Sequence, residues 1–119
     1  MGQYQRKGEA ELILGDRVYC VSIPKRTADR FSRGFDLRDK VFTFLRNVKG
    51  IEVVLIFNEV DSGVVRVNFR SQGKVDVAAL AQQFDGGGHR KASGCKIHSN
   101  LAASRKKVLA ALTKKIKAL

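Results

Sequence analysis

The sequence predicts a single α/β domain in which a mixed β-sheet is flanked by helices. Three observations carry that expectation. Runs rich in β-branched and aromatic residues at 18–23, 51–57 and 64–69 have the length and composition of strands. Apolar residues recur at helical spacing at 37–48, 77–84 and 101–119. Strand and helix patterns then succeed one another along the chain, as in a sheet with helices laid against it. With 119 residues, 44% of them hydrophobic, there is apolar material for one core.

The elements follow in order. Residues 1–8 are polar and aperiodic, the pattern of a disordered leader or linker remnant, so the folded domain is expected over 9–119. The runs 12–14 and 18–23, separated by Gly15-Asp16-Arg17, read as two strands joined by a tight turn, the second ended by Pro24. Residues 25–34 are basic and weakly periodic, a loop or a short helix. From Asp36, a residue suited to an N-cap, Leu37, Val41, Phe44, Leu45 and Val48 share one helical face, and Gly50 follows.

The continuous apolar run 51–57 is that of a central strand buried on both faces. Asp61-Ser62-Gly63 makes a turn, after which Val65, Val67 and Phe69 alternate with Arg66, Asn68 and Arg70, giving an unusually basic polar face. Asp76 caps a second amphipathic segment with Val77, Leu80, Ala81 and Phe84 on one side. Residues 95–98 suit a short edge or returning strand. Leu101, Val108, Leu109, Leu112, Ile116 and Leu119 mark a terminal helix whose lysines form a solvated face.

Lys and Arg number 23 against 11 Asp and Glu, a formal charge of +12, so an acidic partner is expected. Nucleic acid, a nucleotide or an anionic membrane would each satisfy that charge, which attracts polyanions without choosing among them. Cys20 and Cys95 show no zinc-ligand spacing and read as reduced thiols. No apolar run is long enough to span a bilayer, and the cytoplasm is the default location. Phe31 and Phe35 lie in the basic stretch 25–40, where they would stack on bases or pack in the core.

The most informative run is Asp85-Gly86-Gly87-Gly88-His89-Arg90-Lys91-Ala92-Ser93-Gly94-Cys95. Three successive glycines forfeit backbone entropy, which makes sense where the chain takes positive φ or lets a ligand approach its N–H groups. His89, Arg90 and Lys91 then supply an imidazole, a guanidinium fork and a point charge. The run reads as a phosphate-binding loop; the alternative is a helix C-cap with Gly86 left-handed. It is neither a Walker loop nor a Rossmann fingerprint, because no Gly-Lys-Ser/Thr follows four spacer residues and Lys91 replaces the last glycine.

Arg70 and Ser71 end the alternating strand, where open α/β sheets place ligand crevices. Candidate ligand contacts are therefore Arg70, Ser71, Gly86, Gly87, Gly88, His89, Arg90 and Lys91. With two histidines and no acidic cluster of metal-ligand spacing, no metal site is expected in this chain, and no nucleophile signature is visible. Read alone, this is a binding domain.

The stretch from Phe84 to Cys95 strongly resembles the GGGH(K/R)KA(A/S)GC motif of the DHH-associated C-terminal domain of DHH phosphoesterases. Asn47-Val48-Lys49-Gly50-Ile51-Glu52-Val53, Val67-Asn68-Phe69-Arg70-Ser71 and Val75-Asp76-Val77 extend the likeness over roughly 36–119. Within the family it is most similar to the branch of bifunctional oligoribonucleases that are also phosphoadenosine phosphate phosphatases, with cyclic-dinucleotide phosphodiesterases nearby. The resemblance implies a substrate-binding domain that clamps short RNA oligonucleotides or nucleotide phosphates against an N-terminal DHH domain. That separate domain would carry two Mn2+ ions. By motif position it implies phosphate contacts from Arg70, Ser71, Gly87, Gly88 and His89, with Arg90 or Lys91 as electrostatic helpers. It also implies a piece of a longer hydrolase that does not hydrolyse substrate by itself. The other readings are a stand-alone nucleotide- or nucleic-acid-binding module and a basic adaptor docking through the terminal helix.

Overall fold

A computed structural model describes residues 10–15, 17–25 and 50–119. The expected leader, most of the basic stretch with Phe31 and Phe35, and the helix expected from Asp36 lie outside the described residues. Within them the chain runs β1 (Ala10–Ile13), β2 (Val18–Ile23), β3 (Val53–Asp61), β4 (Val64–Ser71), α1 (Val77–Gln82), β5 (Gly87–His89), β6 (Ala92–Ile97) and α2 (Leu101–Lys117). The strands form one sheet in the order β1-β2-β3-β4-β6-β5. It is mixed: β2 and β3 run parallel and every other neighbouring pair is antiparallel. The α/β class expected from the sequence is the one observed.

The alternation read in 64–70 sets the layers. Val65, Val67 and Phe69 are fully buried, and they join Val18, Cys20, Leu55, Phe57, Cys95 and Ile97 on one face of the sheet. Val77, Leu80 and Ala81 of α1 and Val108 and Leu112 of α2 close the same core. β3 is central and buried on both faces, since Val54 and Ile56, which point the other way, are buried as well. Leu119, expected on the apolar stripe of the terminal helix, is instead 59% exposed because α2 ends before it.

Local chemistry fixes the ends. The Asp76 carboxylate accepts from the N–H groups of Ala78 and Ala79 at 3.0 and 3.1 Å, and Asn100 accepts from Ala103 N–H at 2.7 Å, so each helix starts at a side-chain cap. Leu14 and Gly15 both take positive φ in the β1–β2 turn, and Arg17 N–H reaches back to Leu14 C=O at 3.4 Å. Arg17 holds Glu52 through Nε and Nη2 at 3.2 and 3.1 Å, tying that turn to the start of β3. Arg105 of α2 pairs with Glu11 of β1.

Cys20 and Cys95 lie on β2 and β6, with β3 and β4 between them. Three strand spacings amount to about 14 Å, well beyond disulfide range, and both thiols are free. Burial pushes the Cys20 thiol up to about 12 and the Cys95 thiol up to about 11. No helix among the described residues is long and apolar enough to cross a membrane.

Candidate functional site: the open face of the terminal hairpin

The glycine run is not a loop. Gly87 to His89 form β5 and Ala92 to Ile97 form β6, with His89 opposite Ala92, so Arg90 and Lys91 are the two-residue turn of a β-hairpin. This also corrects the short strand expected at 95–98: it starts at Ala92 and lies inside the sheet between β4 and β5. The signal was present in the alternation either side of Arg90-Lys91, masked by glycines that carry no side chain to show a face.

Each glycine has its own reason. The helix ends not on a left-handed Gly86 but on Asp85, at φ 62. Gly86 N–H reaches back to Ala81 C=O at 2.9 Å and Asp85 N–H to Gln82 C=O at 3.1 Å, the paired bonds of a Schellman ending. A Cβ on Gly86 would sit 2.2 Å from the Gly94 carbonyl oxygen, so glycine lets the chain leave α1 pressed against β6. Gly88 has φ 140, and a Cβ there would meet Ala92 O at 2.7 Å. A Cβ on Gly87 would meet nothing within 4 Å. Internal packing explains two glycines and leaves the third facing open space.

The hairpin tip is anchored through its carbonyls. Ser71 N–H donates to Lys91 C=O and Val77 N–H to Arg90 C=O, each at 2.9 Å, which docks the turn between the end of β4 and the start of α1. Residues opposite one another on neighbouring strands share a face, and the register therefore assembles rows on the side of the sheet away from the core. Arg70, Ala92 and His89 form one row; Asn68, Gly94 and Gly87 form the next; Arg66 and Lys96 form a third. Arg66, Arg70, His89 and Lys96 are exposed.

The candidate residues are accordingly divided. Arg70 and His89 sit two strands apart in one row, about 10 Å between backbones, a gap that two long side chains leaning inward can close around one phosphate. Gly87 lies beside them as part of a floor without side chains. Arg90 and Lys91, both exposed, flank the row at the turn. Ser71 is elsewhere: it is 6% exposed, and its hydroxyl lies within 3.5 Å of the Gly73 backbone. Gly86 and Gly88 shape the hairpin from within. Asn68, Gly94 and Lys96 belong to the same face, although they stood outside the sequence-based candidate set.

Among the described residues, no three His, Cys, Asp or Glu side chains gather into a group that could hold a metal. The described residues therefore offer no donor set for a two-manganese centre, which the resemblance places in a separate domain. What this face offers is chemistry for binding: cationic donors around a floor that lets a ligand approach the backbone.

A mixed six-stranded sheet with two helices packed on its core makes this a small α/β domain. The DHHA1 domain model matches residues 36–118, and the chain belongs to that family of domains from DHH phosphoesterases. Over 79 residues it is 38% identical to the bifunctional oligoribonuclease and PAP phosphatase NrnA of Bacillus subtilis (strain 168), a match that covers 66% of this chain and 25% of that protein. The chain thus spans about a quarter of that relative. Among solved structures it is similar to an exopolyphosphatase-related protein from Bacteroides fragilis, with TM-score 0.72 and 24% identity over 86% of this chain and 30% of that one. It is also similar to the pGpG-specific phosphodiesterase PggH from Vibrio cholerae, with TM-score 0.58 and 12% identity over 93% and 36% of the respective chains. At these identities the two structures speak for the fold alone.

Proposed function

We propose that this chain is the substrate-holding domain of a phosphoesterase, gripping a phosphate of a short oligoribonucleotide or nucleotide phosphate on the open face of the hairpin. The observation that carries the reading is the row Arg70-Ala92-His89 beside Gly87, whose Cβ position is empty space. Arg70 would fork two N–H donors onto the phosphate, and His89 would donate from the opposite side. Arg90 and Lys91 would raise the local potential from the turn. Ser71, Gly86 and Gly88 would act by holding the hairpin where it is. Bond cleavage would belong to metals supplied by an N-terminal DHH domain of a longer chain, and this domain's contribution would be to fix the phosphate in position.

Binding of adenosine 5′-monophosphate to the 119-residue protein, followed by calorimetry, tests this. His89→Ala and Arg70→Gln are each expected to weaken binding at least tenfold while leaving the far-ultraviolet circular dichroism and melting temperature in place. Equal affinity in the wild type and both variants would overturn the reading. The stand-alone binding module predicts the same affinities, and the two part company in a chain joined to a DHH domain, where His89→Ala should lower turnover by orders of magnitude.

A further inference from the structure

The third row of the open face has no part in that phosphate grip. Arg66 and Lys96 are directly opposite one another on β4 and β6, both exposed, and neither forms a salt bridge among the described residues. Like charges directly opposite across a ladder cost stability, and no described carboxylate forms a salt bridge with either side chain. Of the two β3 carboxylates, Glu59 is paired with Val65, whose side chain lies on the core face, and accepts from Lys25 N–H at 2.9 Å. Asp61, paired with Val64, lies on the face of Arg66 but diagonal to it, and accepts from Ser62 N–H at 2.8 Å.

Arg66 stands four residues from Arg70 on the same strand and the same face, about 13 Å along β4 at the usual rise per residue. Between them lies the row of Asn68, Gly94 and Gly87, low enough for a ligand to cross. A single phosphate cannot span that distance, whereas successive phosphates of a short extended strand can.

We propose that Arg66 and Lys96 form a second phosphate subsite, so that the ligand this face prefers is an oligoribonucleotide with several phosphates rather than a mononucleotide phosphate. The proposal rests on the Arg70–His89 grip for the first phosphate. The like-charge pair is then a feature with a ligand-bound resolution: an incoming phosphate between the two side chains turns repulsion into a shared attraction. Subsite occupancy gives selection by length, because only a strand reaching the third row meets the second pair of cations.

The test is a titration of the 119-residue protein with 5′-phosphorylated adenylates of one, two, three and four nucleotides. Affinity is expected to rise at least tenfold from the monomer to the length that reaches the third row. In the Arg66→Gln/Lys96→Gln double variant that rise should shrink below threefold, with monomer affinity within twofold of wild type. For the longer ligands the slope of log affinity against log salt should fall by about 0.7, the value for one phosphate no longer neutralised on a single strand. Relief of repulsion should leave the double variant melting at or above the wild-type temperature. A Lys106→Gln/Lys114→Gln variant, which removes the same charge from α2, should keep the length dependence.

A rise that survives in the Arg66→Gln/Lys96→Gln variant, or that disappears equally in the α2 variant, overturns the subsite. The two readings fail separately. Monomer binding abolished in His89→Ala, together with an unaltered rise in the double variant, removes the subsite and keeps the first grip. Monomer affinity indifferent to His89→Ala, with the rise abolished in the double variant, removes the first grip and keeps the subsite. Absence of binding at every length removes both.

Discussion

The two faces of β4 and β6 are made of alternate residues of the same strands and meet opposite demands. On one, Val65, Val67, Phe69, Cys95 and Ile97 are buried with residues of two helices. On the other, Arg66, Arg70 and Lys96 are exposed, and β5 adds His89. The glycine triplet divides along a related line: Gly86 and Gly88 are demanded by close approach to β6, while Gly87 answers to nothing inside the protein. Over β4, β6 and β5 burial is therefore concentrated on one side of the sheet, whereas over β3 both sides are covered, Val54 and Ile56 being buried next to Arg70 and Asn68.

Single substitutions sharpen that contrast. Phe69→Ala, on the core face, is expected to cost about 3–5 kcal/mol, read from denaturant unfolding, whereas Arg70→Gln one residue further on should change stability by about 1 kcal/mol or less. Comparable losses at the two positions would mean the faces are not distinct. Within the triplet, Gly86→Ala places a Cβ against Gly94 O and should cost about 1–3 kcal/mol or more. Gly87→Ala should be nearly silent in the same assay, within about 0.5 kcal/mol, while weakening nucleotide binding.

The thiols probe the covered face by pH. The folded values of Cys20 and Cys95 are raised to about 12 and about 11 by burial, so the unfolded chain releases those protons first. Their contribution to stability is complete below the free thiol value of about 8.5 and is lost as pH rises towards the folded values. The melting temperature should fall across that alkaline range, less steeply in Cys20→Ala measured against its own value at pH 7. Alkylation at neutral pH should be slow until the protein unfolds. The smallest effect is expected at Ser104, fully buried with its hydroxyl unpartnered. Ser104→Ala should leave stability within about 0.5 kcal/mol of wild type or raise it slightly, since it removes no hydrogen bond.

Much of the covered face was legible in the sequence, because burial writes itself as periodicity. The period of two in 64–70, the apolar run of β3 and the Asp76 cap each led to the element found. The hairpin was harder to read. Glycine reports no face, β5 has only three residues, and the left-handed position is occupied by Asp85 rather than by a glycine. Arg70 and His89 could be suspected from residue type, yet their common row with Ala92 depends on register between strands far apart in sequence. Ser71 looked equivalent to Arg70 in a linear motif, and strand alternation separates them. Lys96 escaped notice for the converse reason: its partner Arg66 is thirty residues away.

The central claim, that ligand is held on the hairpin's open face rather than by the diffuse charge of α2, is tested most directly by amide chemical-shift mapping during titration with 5′-phosphorylated diadenylate. The largest shifts are predicted at residues 87–92 and 94 and at Asn68 and Arg70, with the amides of Lys106, Lys107 and Lys114 little changed. Shifts centred on those lysines, with the hairpin amides unmoved, would contradict it.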